Sequence, residues 1–248
     1  MERIQKIIAE RGYCSRRRAE ELMLAGKVKV NGMIVRELGT KASSNASIEV
    51  EGIALDNNKN YEYYLLYKPR GVVSSVTDDR GRKTVVDLIT GTDTRIYPIG
   101  RLDYDTSGLI LLTNDGNLAN GLMQPAKKIE KSYIVKVSGI LTGYDIKRLK
   151  DGVIIDGYKT RRAKVKLKSS NIKKNTCLIE LVINEGKNRQ IRKMIEAVGK
   201  SVLKLKRERY AFLTLDGLKS GEYRKLSNKE IAILYSLIKW FLINCICL

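Results

Sequence analysis

Histidine is absent from this sequence of 248 residues, and phenylalanine, tryptophan and proline are scarce. The absence of histidine removes the commonest general base and the commonest metal ligand in proteins. Any catalysis must then use carboxylate, tyrosine, lysine, cysteine or serine side chains. The composition therefore excludes histidine-based catalytic triads and histidine metal sites.

Cysteine is also sparse, and its spacing does not fit a zinc site. The four thiols, Cys14, Cys177, Cys245 and Cys247, lack the paired pattern of two cysteines separated by two residues. Scattered thiols without a signal peptide are typical of a reduced, cytoplasmic protein. We therefore predict a cytoplasmic location and no bound metal.

Long apolar runs are limited to residues 231–248. Lys239 lies near the middle of this run, where a bilayer makes a charge costly. We therefore predict an apolar C-terminal tail, helical and docked on the protein or partly disordered, and no membrane partner.

Positive charge, in contrast, is abundant. The sequence has 47 lysines and arginines against 27 acids, a net charge of +20. Each phosphate that a basic protein neutralises releases condensed counterions, so this excess favours a nucleic acid as the partner.

Residues 1–60 are predicted to form a small domain that ends in a polar linker. A helix beginning after Ser15 carries Arg16, Arg17 and Arg18 in its first turn, where the helix dipole disfavours cations. Backbone N–H groups and arginines at a helix start suit phosphate, although a solvated charged face explains them equally well. Lys27 and Lys29 follow on a predicted strand before an Asn-Gly turn.

This segment resembles an S4 RNA-binding domain. The resemblance lies in three stretches, which read Ile4-Gln-Lys-Ile-Ile-Ala9, Gly12-Tyr-Cys-Ser-Arg-Arg-Arg-Ala-Glu-Glu-Leu22 and Gly26-Lys-Val-Lys-Val-Asn-Gly32. It implies that Arg16, Arg17, Arg18, Lys27 and Lys29 contact RNA.

Residues 61–230 are predicted to form an α+β domain on a mixed, mainly antiparallel sheet. Strand patterns outnumber helical ones and do not alternate with them; they cover residues 63–67, 133–137, 163–168, 177–183 and 202–207. The clearest helix covers residues 188–198. On the strand at 163–168, Arg162, Lys164, Lys166 and Lys168 alternate with Ala163, Val165 and Leu167, which predicts a cationic face for phosphate and an apolar face behind it.

The densest motif reads Gly100-Arg-Leu-Asp-Tyr-Asp-Thr-Ser-Gly-Leu-Ile-Leu-Leu-Thr-Asn-Asp-Gly116. A turn at Gly100 would present Arg101, Asp103 and Asp105 in front of a buried strand at 109–112. Polar groups held on a rigid element suit a preorganised site. From the spacing alone, a turn in which both aspartates only cap backbone groups is the better interpretation.

With three further blocks, this motif resembles the RsuA/RluB branch of the pseudouridine synthases. The blocks are Tyr67-Lys-Pro-Arg-Gly71, Lys131-Ser-Tyr-Ile-Val-Lys-Val137 and Asn184-Glu-Gly-Lys-Asn-Arg-Gln-Ile-Arg-Lys193. The resemblance implies an essential carboxylate at Asp103, an active-site tyrosine at Tyr133 and a basic partner of Asp103 at Arg192. We also predict RNA contacts for Arg101, Lys187 and Arg189.

The family chemistry breaks the bond between uracil N1 and ribose C1′, rotates the base and joins its C5 to C1′. It involves no redox step or group donor, so we expect no cofactor. The target nucleotide must flip out of its stack, and Tyr133 would receive it. The sequence leaves open whether Asp103 attacks C1′ or removes a proton at C2′.

The resemblance extends to about residue 226 and favours 23S over 16S ribosomal RNA as the substrate. It also implies a monomer. A non-catalytic S4-type RNA-binding assembly factor is the main alternative, and the joint presence of Asp103, Tyr133 and Arg192 argues against it.

Overall fold

The computed structural model describes residues 1–57 and 60–243, and the chain divides into two compact units. The first comprises Met1–Glu62 with the short segments Gly91–Ile96 and Thr113–Gly116. The second comprises Tyr63–Thr90, Tyr97–Leu112 and the chain from Asn117 onward. The last residues of the predicted tail, with Cys245 and Cys247, lie outside the described residues.

The first unit packs two helices against short strands. Its elements are β1 (Glu2–Arg3), α1 (Ile4–Glu10), α2 (Arg16–Leu24), β2 (Val28–Val30), β3 (Met33–Ile34), β4 (Lys41–Ala42), β5 (Ile48–Val50) and β6 (Ile53–Ala54). β2 and β3 form a hairpin through Asn31 and Gly32, whose φ values of 49° and 82° are those of the tight turn that an Asn-Gly pair predicts. The apolar stripe of α1 is buried against α2.

The start of α2 follows from its cap. The Ser15 hydroxyl accepts a hydrogen bond from the Arg18 N–H at 3.1 Å, which satisfies one of the free donors of the first turn. This cap lets the helix begin with three arginines despite the unfavourable dipole.

The second unit is built on one nine-stranded sheet with helices packed on it. Its elements are β7 (Tyr63–Lys68), β8 (Tyr97–Ile99), β9 (Ser107–Thr113), α3 (Gly116–Met123), β10 (Lys131–Ser138), α4 (Gly143–Asp151), β11 (Ile154–Ile155), β12 (Tyr158–Lys159), β13 (Lys164–Asn171), β14 (Thr176–Ile183), α5 (Gln190–Glu196), β15 (Ser201–Tyr210), β16 (Leu213–Thr214), β17 (Tyr223–Lys225) and α6 (Asn228–Ile243).

The main strand order is β13-β14-β10-β15-β9-β7-β17, with β16 beside β15 and β8 beside β9. β10 runs antiparallel to both β14 and β15, whereas β15 and β9 are parallel. The prediction of an α+β fold on a mixed, mainly antiparallel sheet is confirmed.

Gly108 is required where the parallel strands β9 and β15 meet. Its φ is +120°, and a Cβ at this position would lie 2.3 Å from the Arg207 carbonyl oxygen. Only glycine tolerates both the backbone angle and this approach. The loop that precedes β9 and carries Asp103 is thereby placed at the middle of the sheet.

Helix α6 contains residues 231–243 of the predicted tail. Its Leu234 is fully buried in the core that includes Leu118 and Leu122 of α3. None of the helices within residues 1–57 and 60–243 has the length and apolar character that crossing a membrane requires.

Candidate active site

The segment between β8 and β9 presents Asp103 and Asp105 from a tethered loop. Gly100 turns the chain with φ +72°, and the Thr106 N–H donates to the Asp103 carbonyl at 3.0 Å. The Ser74 hydroxyl donates to the Leu102 carbonyl at 2.8 Å. Among the described residues, the hydrogen bonds of Asp103 and Asp105 go to their backbone carbonyls, so both carboxylates remain available for other contacts.

Lys68 holds this loop through hydrogen bonds to its backbone carbonyls. Its side chain is fully buried, and its ammonium donates to the carbonyls of Pro69, Asp103 and Thr106 at 3.0, 3.2 and 2.8 Å. Burial lowers the pKa of Lys68 to about 8, against the opposing effect of Asp105 and Asp103. One buried cation thus fixes the backbone on both sides of the loop that carries Asp103.

Two arginine side chains make three ion-pair contacts with the two aspartates. The Arg192 Nη2 atom lies 2.7 Å from Asp105 Oδ2, and its Nε lies 3.9 Å from Asp103 Oδ2. Arg189 Nη1 lies 4.0 Å from the same Asp103 oxygen. The resemblance made Arg192 the partner of Asp103; in this structure its short ion pair is with Asp105, and Asp103 has two longer contacts.

Helix α5, which supplies Arg192, is shorter than predicted. Arg189 adopts a left-handed conformation at φ 49°, so the helix begins at Gln190 and not at residue 188. The Gln190 side chain accepts from the Lys187 N–H at 3.0 Å and also donates to Glu185. This folded-back loop directs Arg189 toward Asp103, while Arg192 is buried on the inner side of the helix.

Asp103 and Tyr133 line one cavity of about 340 Å³. Tyr133 is the third residue of β10 and lies opposite Leu181 of β14 and Arg207 of β15. The Asp103 side chain is 33% exposed, so a substrate can reach it. Arg101, Lys187 and Arg189, all predicted to bind RNA, line the same cavity.

Two further cations line the cavity, the buried Arg207 and the half-buried Lys131, and the sequence analysis did not identify them. Lys131 and Arg207 both approach the Tyr210 ring, at 5.5 and 5.3 Å from its centre. Burial lowers the pKa of Lys131 to about 8, with Arg207 adding to the effect. Burial also raises the pKa of Tyr210 to about 12.

The predicted cationic strand faces away from this cavity. Val165 pairs with Leu181, which pairs with Tyr133, so these three residues share the cavity face of the sheet. Lys164 and Lys166 therefore project from the opposite face. Arg162, which precedes the strand, is exposed.

The predicted apolar row on this strand shares one face, because Val165 and Leu167 lie opposite the buried Leu181 and Ile179. Leu167 is nevertheless 41% exposed, in a strand at the edge of the sheet. Its neighbour Lys168 pairs with Glu180 at 3.2 Å.

The opposite face, as defined by the strand pairing, carries a set of cations from three strands: Lys136, Lys164, Lys166, Lys204, Lys206 and Arg209. Some of them have acidic partners, such as Glu130 at 2.6 Å from Lys164. Within the described residues, Lys136, Lys166 and Lys204 form no ion pair.

In the first unit, the predicted RNA contacts differ in their partners. Arg18 pairs with Glu21 at 2.9 Å, Lys27 with Glu51 at 2.7 Å, and Lys29 with Glu49 at 2.8 Å. Arg16 and Arg17 are exposed and, in the part of the chain that the structure describes, have no ion pair.

Sequence reasoning missed Lys68, Lys131 and Arg207, and it assigned no role to the ion pair of Asp105. A partial signal existed for two of them. Lys68 belongs to the Lys-Pro-Arg-Gly block, and Lys131 is two residues from Tyr133 on a strand, which places both side chains on one face. The position of Arg207 depends on a pairing with β10 that no local pattern reveals.

Comparison with known proteins assigns this chain to one family. Residues 62–197 match the RNA pseudouridylate synthase family model, and residues 2–48 match the S4 domain. The chain is 53% identical to ribosomal large subunit pseudouridine synthase B of Bacillus subtilis over 96% of this chain and 97% of that protein. An uncharacterized RNA pseudouridine synthase of Rickettsia conorii is 39% identical over 92% of this chain and 98% of its own length.

A solved structure agrees with this similarity. The crystal structure of a pseudouridylate synthase is 30% identical in sequence and superposes with a TM-score of 0.66, covering 94% of this chain and all of that one.

Proposed function

Because this chain belongs to the RNA pseudouridylate synthase family and carries an S4 domain, we propose that it isomerises a uridine in large-subunit (23S) ribosomal RNA with Asp103 as the essential carboxylate. The similarity to the Bacillus subtilis large-subunit enzyme, which spans nearly the full length of both chains, supports this substrate.

The observation that carries the role of Asp103 is its position at a cavity shared with Tyr133. The carboxylate has no backbone hydrogen bond among the described residues, while its backbone is held by Lys68. A fixed yet reachable carboxylate can act at the ribose, either by attack on C1′ or by proton removal at C2′. A flipped uracil would stack on Tyr133, whose hydroxyl could also accept the proton that leaves C5.

The substrate assignment is tested by mapping pseudouridine in ribosomal RNA from cells with and without the gene. We expect one 23S position to lose pseudouridine on deletion and to regain it with the wild-type gene but not with an Asp103→Asn copy. Loss of a 16S position instead, or no change in either RNA, would refute the proposed substrate.

We propose that Arg192 orients the loop through Asp105, while Arg189 contributes a more exposed charge beside Asp103. Arg192→Gln should lower the single-turnover rate about 10-fold, because a charge-assisted contact between a buried guanidinium and a carboxylate that is 41% exposed is worth about 1.5 kcal/mol. Arg189→Gln should lower it less, since the Arg189 side chain is 47% exposed and its contact with Asp103 is 4.0 Å.

A double-mutant cycle separates these roles. If Arg192 acts through Asp105, then Asp105→Asn combined with Arg192→Gln should be little slower than either single variant. Additive losses, or equal losses in Arg189→Gln and Arg192→Gln, would show that the arginines are independent phosphate contacts.

We propose two sets of RNA-backbone contacts outside the cavity. One comprises Arg16 and Arg17 at the start of α2, with Arg18, Lys27 and Lys29 beside them in sequence. The other comprises the cations of the opposite face of the sheet, together with Arg162, which precedes β13. RNA bound on this face would be a segment that flanks the target uridine. Cations without acidic partners support both assignments, because they are free to replace phosphate counterions.

Salt dependence tests both sets. The pairs Arg16→Ala with Arg17→Ala, and Lys166→Ala with Lys204→Ala, should each reduce the slope of log Kd against log salt by about 1 to 2. The matched control is Lys147→Ala with Lys150→Ala on α4, which removes the same charge from exposed positions elsewhere. A control slope that changes as much as the others would mean that only net charge matters.

We further propose that the enzyme acts as a cytoplasmic monomer without a cofactor. Cys14 and Cys177 are free thiols, which fits a reducing compartment. Sedimentation of the purified protein at micromolar concentration tests the monomer, and a dimer mass would contradict it.

A further inference from the structure

Lys131 and Arg207 are cations that line the cavity of Asp103 and Tyr133; Arg207 is buried and Lys131 is half-buried. Arg207 lies on β15 directly opposite Tyr133 of β10, and Lys131 lies opposite Tyr210 of β15. All four side chains therefore belong to the cavity face of the sheet. Among the described residues, neither cation has a carboxylate within ion-pair distance.

This arrangement is costly for the folded protein. Arg207 is only 3% exposed. Its guanidinium makes one hydrogen bond with the described residues, from Nε to the Leu109 carbonyl at 2.6 Å. Its Nη2 atom is buried without a partner there. The Lys131 ammonium donates to the Ile129 carbonyl at 2.9 Å. Burying a charge without a counter-charge is unfavourable by several kcal/mol.

Tyr210 does not remove this cost. Both cations approach its ring, but a cation–π contact is weaker than an ion pair and leaves both charges in place. Its hydroxyl donates to the Leu122 carbonyl at 3.0 Å, so it is not a counter-anion. The cavity is therefore electropositive before the substrate arrives, and its occupant should carry negative charge.

The proposed reaction supplies such an occupant. When the bond between N1 and C1′ breaks, its electron pair stays on uracil, and the detached base is an anion delocalised over N1 and its two carbonyl oxygens. C1′ is then bonded to Asp103 or has lost its neighbouring C2′ proton. The base rotates and its C5 bonds to C1′, while the bond between C1′ and Asp103 breaks or, by the other route, the proton returns from Asp103 to C2′. The C5 proton then leaves and N1 gains a proton. The base is anionic by either route.

Resting on the proposed function, we propose that Arg207 and Lys131 form a cationic site that stabilises the detached uracil as an anion. Their charges are present before the bond breaks and lie in a poorly solvated cavity, so they favour the charged intermediate over the neutral bound uridine. The site acts on the chemical step and contributes little to RNA affinity.

The first measurement compares Arg207→Gln with Arg207→Lys and with the control Lys147→Gln. Lys147 is an exposed residue of α4 outside the proposed RNA contacts, so its substitution removes the same charge elsewhere. At saturating RNA we expect Arg207→Gln to lower the single-turnover rate about 100-fold, with Kd within about 3-fold. Arg207→Lys should recover part of the rate, and Lys147→Gln should leave it unchanged. A defect in Kd alone would overturn the proposal.

The second measurement separates charge stabilisation from a structural role. An RNA carrying 5-fluorouridine at the target position releases a less basic anion, which needs less help from the protein. The rate defect of Arg207→Gln in cleaving the N1–C1′ bond should therefore shrink with this RNA. An equal defect with both bases would overturn the proposal, because a distorted site slows both alike.

Two controls are needed to interpret these measurements. Thermal unfolding reports whether Arg207→Gln is folded, and if it is not, Lys131→Gln undergoes the same comparison between the two bases. Wild-type conversion of uridine in the ribosomal RNA fragment tests the proposed function separately. A wild-type enzyme that is active, with defects that do not depend on the base, would refute this inference and leave the function intact.

Discussion

Asp103→Asn should abolish pseudouridine formation, lowering the single-turnover rate about 10⁴-fold or more. The amide matches the carboxylate in size but can neither attack C1′ nor accept a proton from C2′. The fold should be unaffected. The two ion-pair contacts of Asp103 are 3.9 and 4.0 Å long and partly exposed, so losing them should cost less than about 1 kcal/mol.

Single-turnover assays on a 23S fragment, with binding measured in parallel, check this expectation. RNA affinity should stay within a few-fold, because Asp103 makes no favourable contact with phosphate. Asp105→Asn is the matched control: it changes a carboxylate two residues away that pairs with Arg192, and it should retain measurable turnover. Turnover by Asp103→Asn at a similar level would remove Asp103 from the chemistry.

Lys68→Met should lower the rate about 10²- to 10³-fold although Lys68 touches no substrate in our proposal. The substitution removes three hydrogen bonds and leaves the carbonyls of Pro69, Asp103 and Thr106 without their buried donor. A displacement of about 1 Å at a reacting group costs on the order of 10²-fold in rate. Lys68 is thus expected to be a positioning residue.

Stability and rate together distinguish this role from direct catalysis. The free energy of unfolding should fall by about 3 kcal/mol, since unsatisfied buried carbonyls outweigh the relief of burying an ammonium. Lys83→Met, at an exposed position, should change neither quantity. If Lys68→Met stays as stable as wild type and as active, the loop does not depend on this tether.

A positioning role also predicts the behaviour of a smaller perturbation. Ser74→Ala removes one further tether, the hydrogen bond to the Leu102 carbonyl at 2.8 Å. Its rate loss should be intermediate between that of Lys68→Met and wild type. The pattern would link rate to the number of hydrogen bonds that hold the Asp103 loop.

Much of the local structure could be predicted from the sequence. Strand β14 reads Thr176-Cys-Leu-Ile-Glu-Leu-Val-Ile183 and has alternating burial, because side chains on a strand point to opposite faces in turn. The Asn31-Gly32 hairpin and the Ser15 cap follow from residue types that favour those backbone geometries. The start of α5 was not predictable, because Arg189 adopts a left-handed conformation in a loop held by Gln190.

By itself, the sequence determined the kinds of elements, the basic character of the partner and, through its motifs, the family. The tertiary structure decided which charges meet. Arg192 pairs closely with Asp105, and Arg207 lies beside Tyr133, because β15 joins β10 on one side and β9 on the other. The face on which Lys164 and Lys166 project also depends on that register. Local propensity acts over a few residues, whereas sheet order and register minimise the energy of packing across the whole domain.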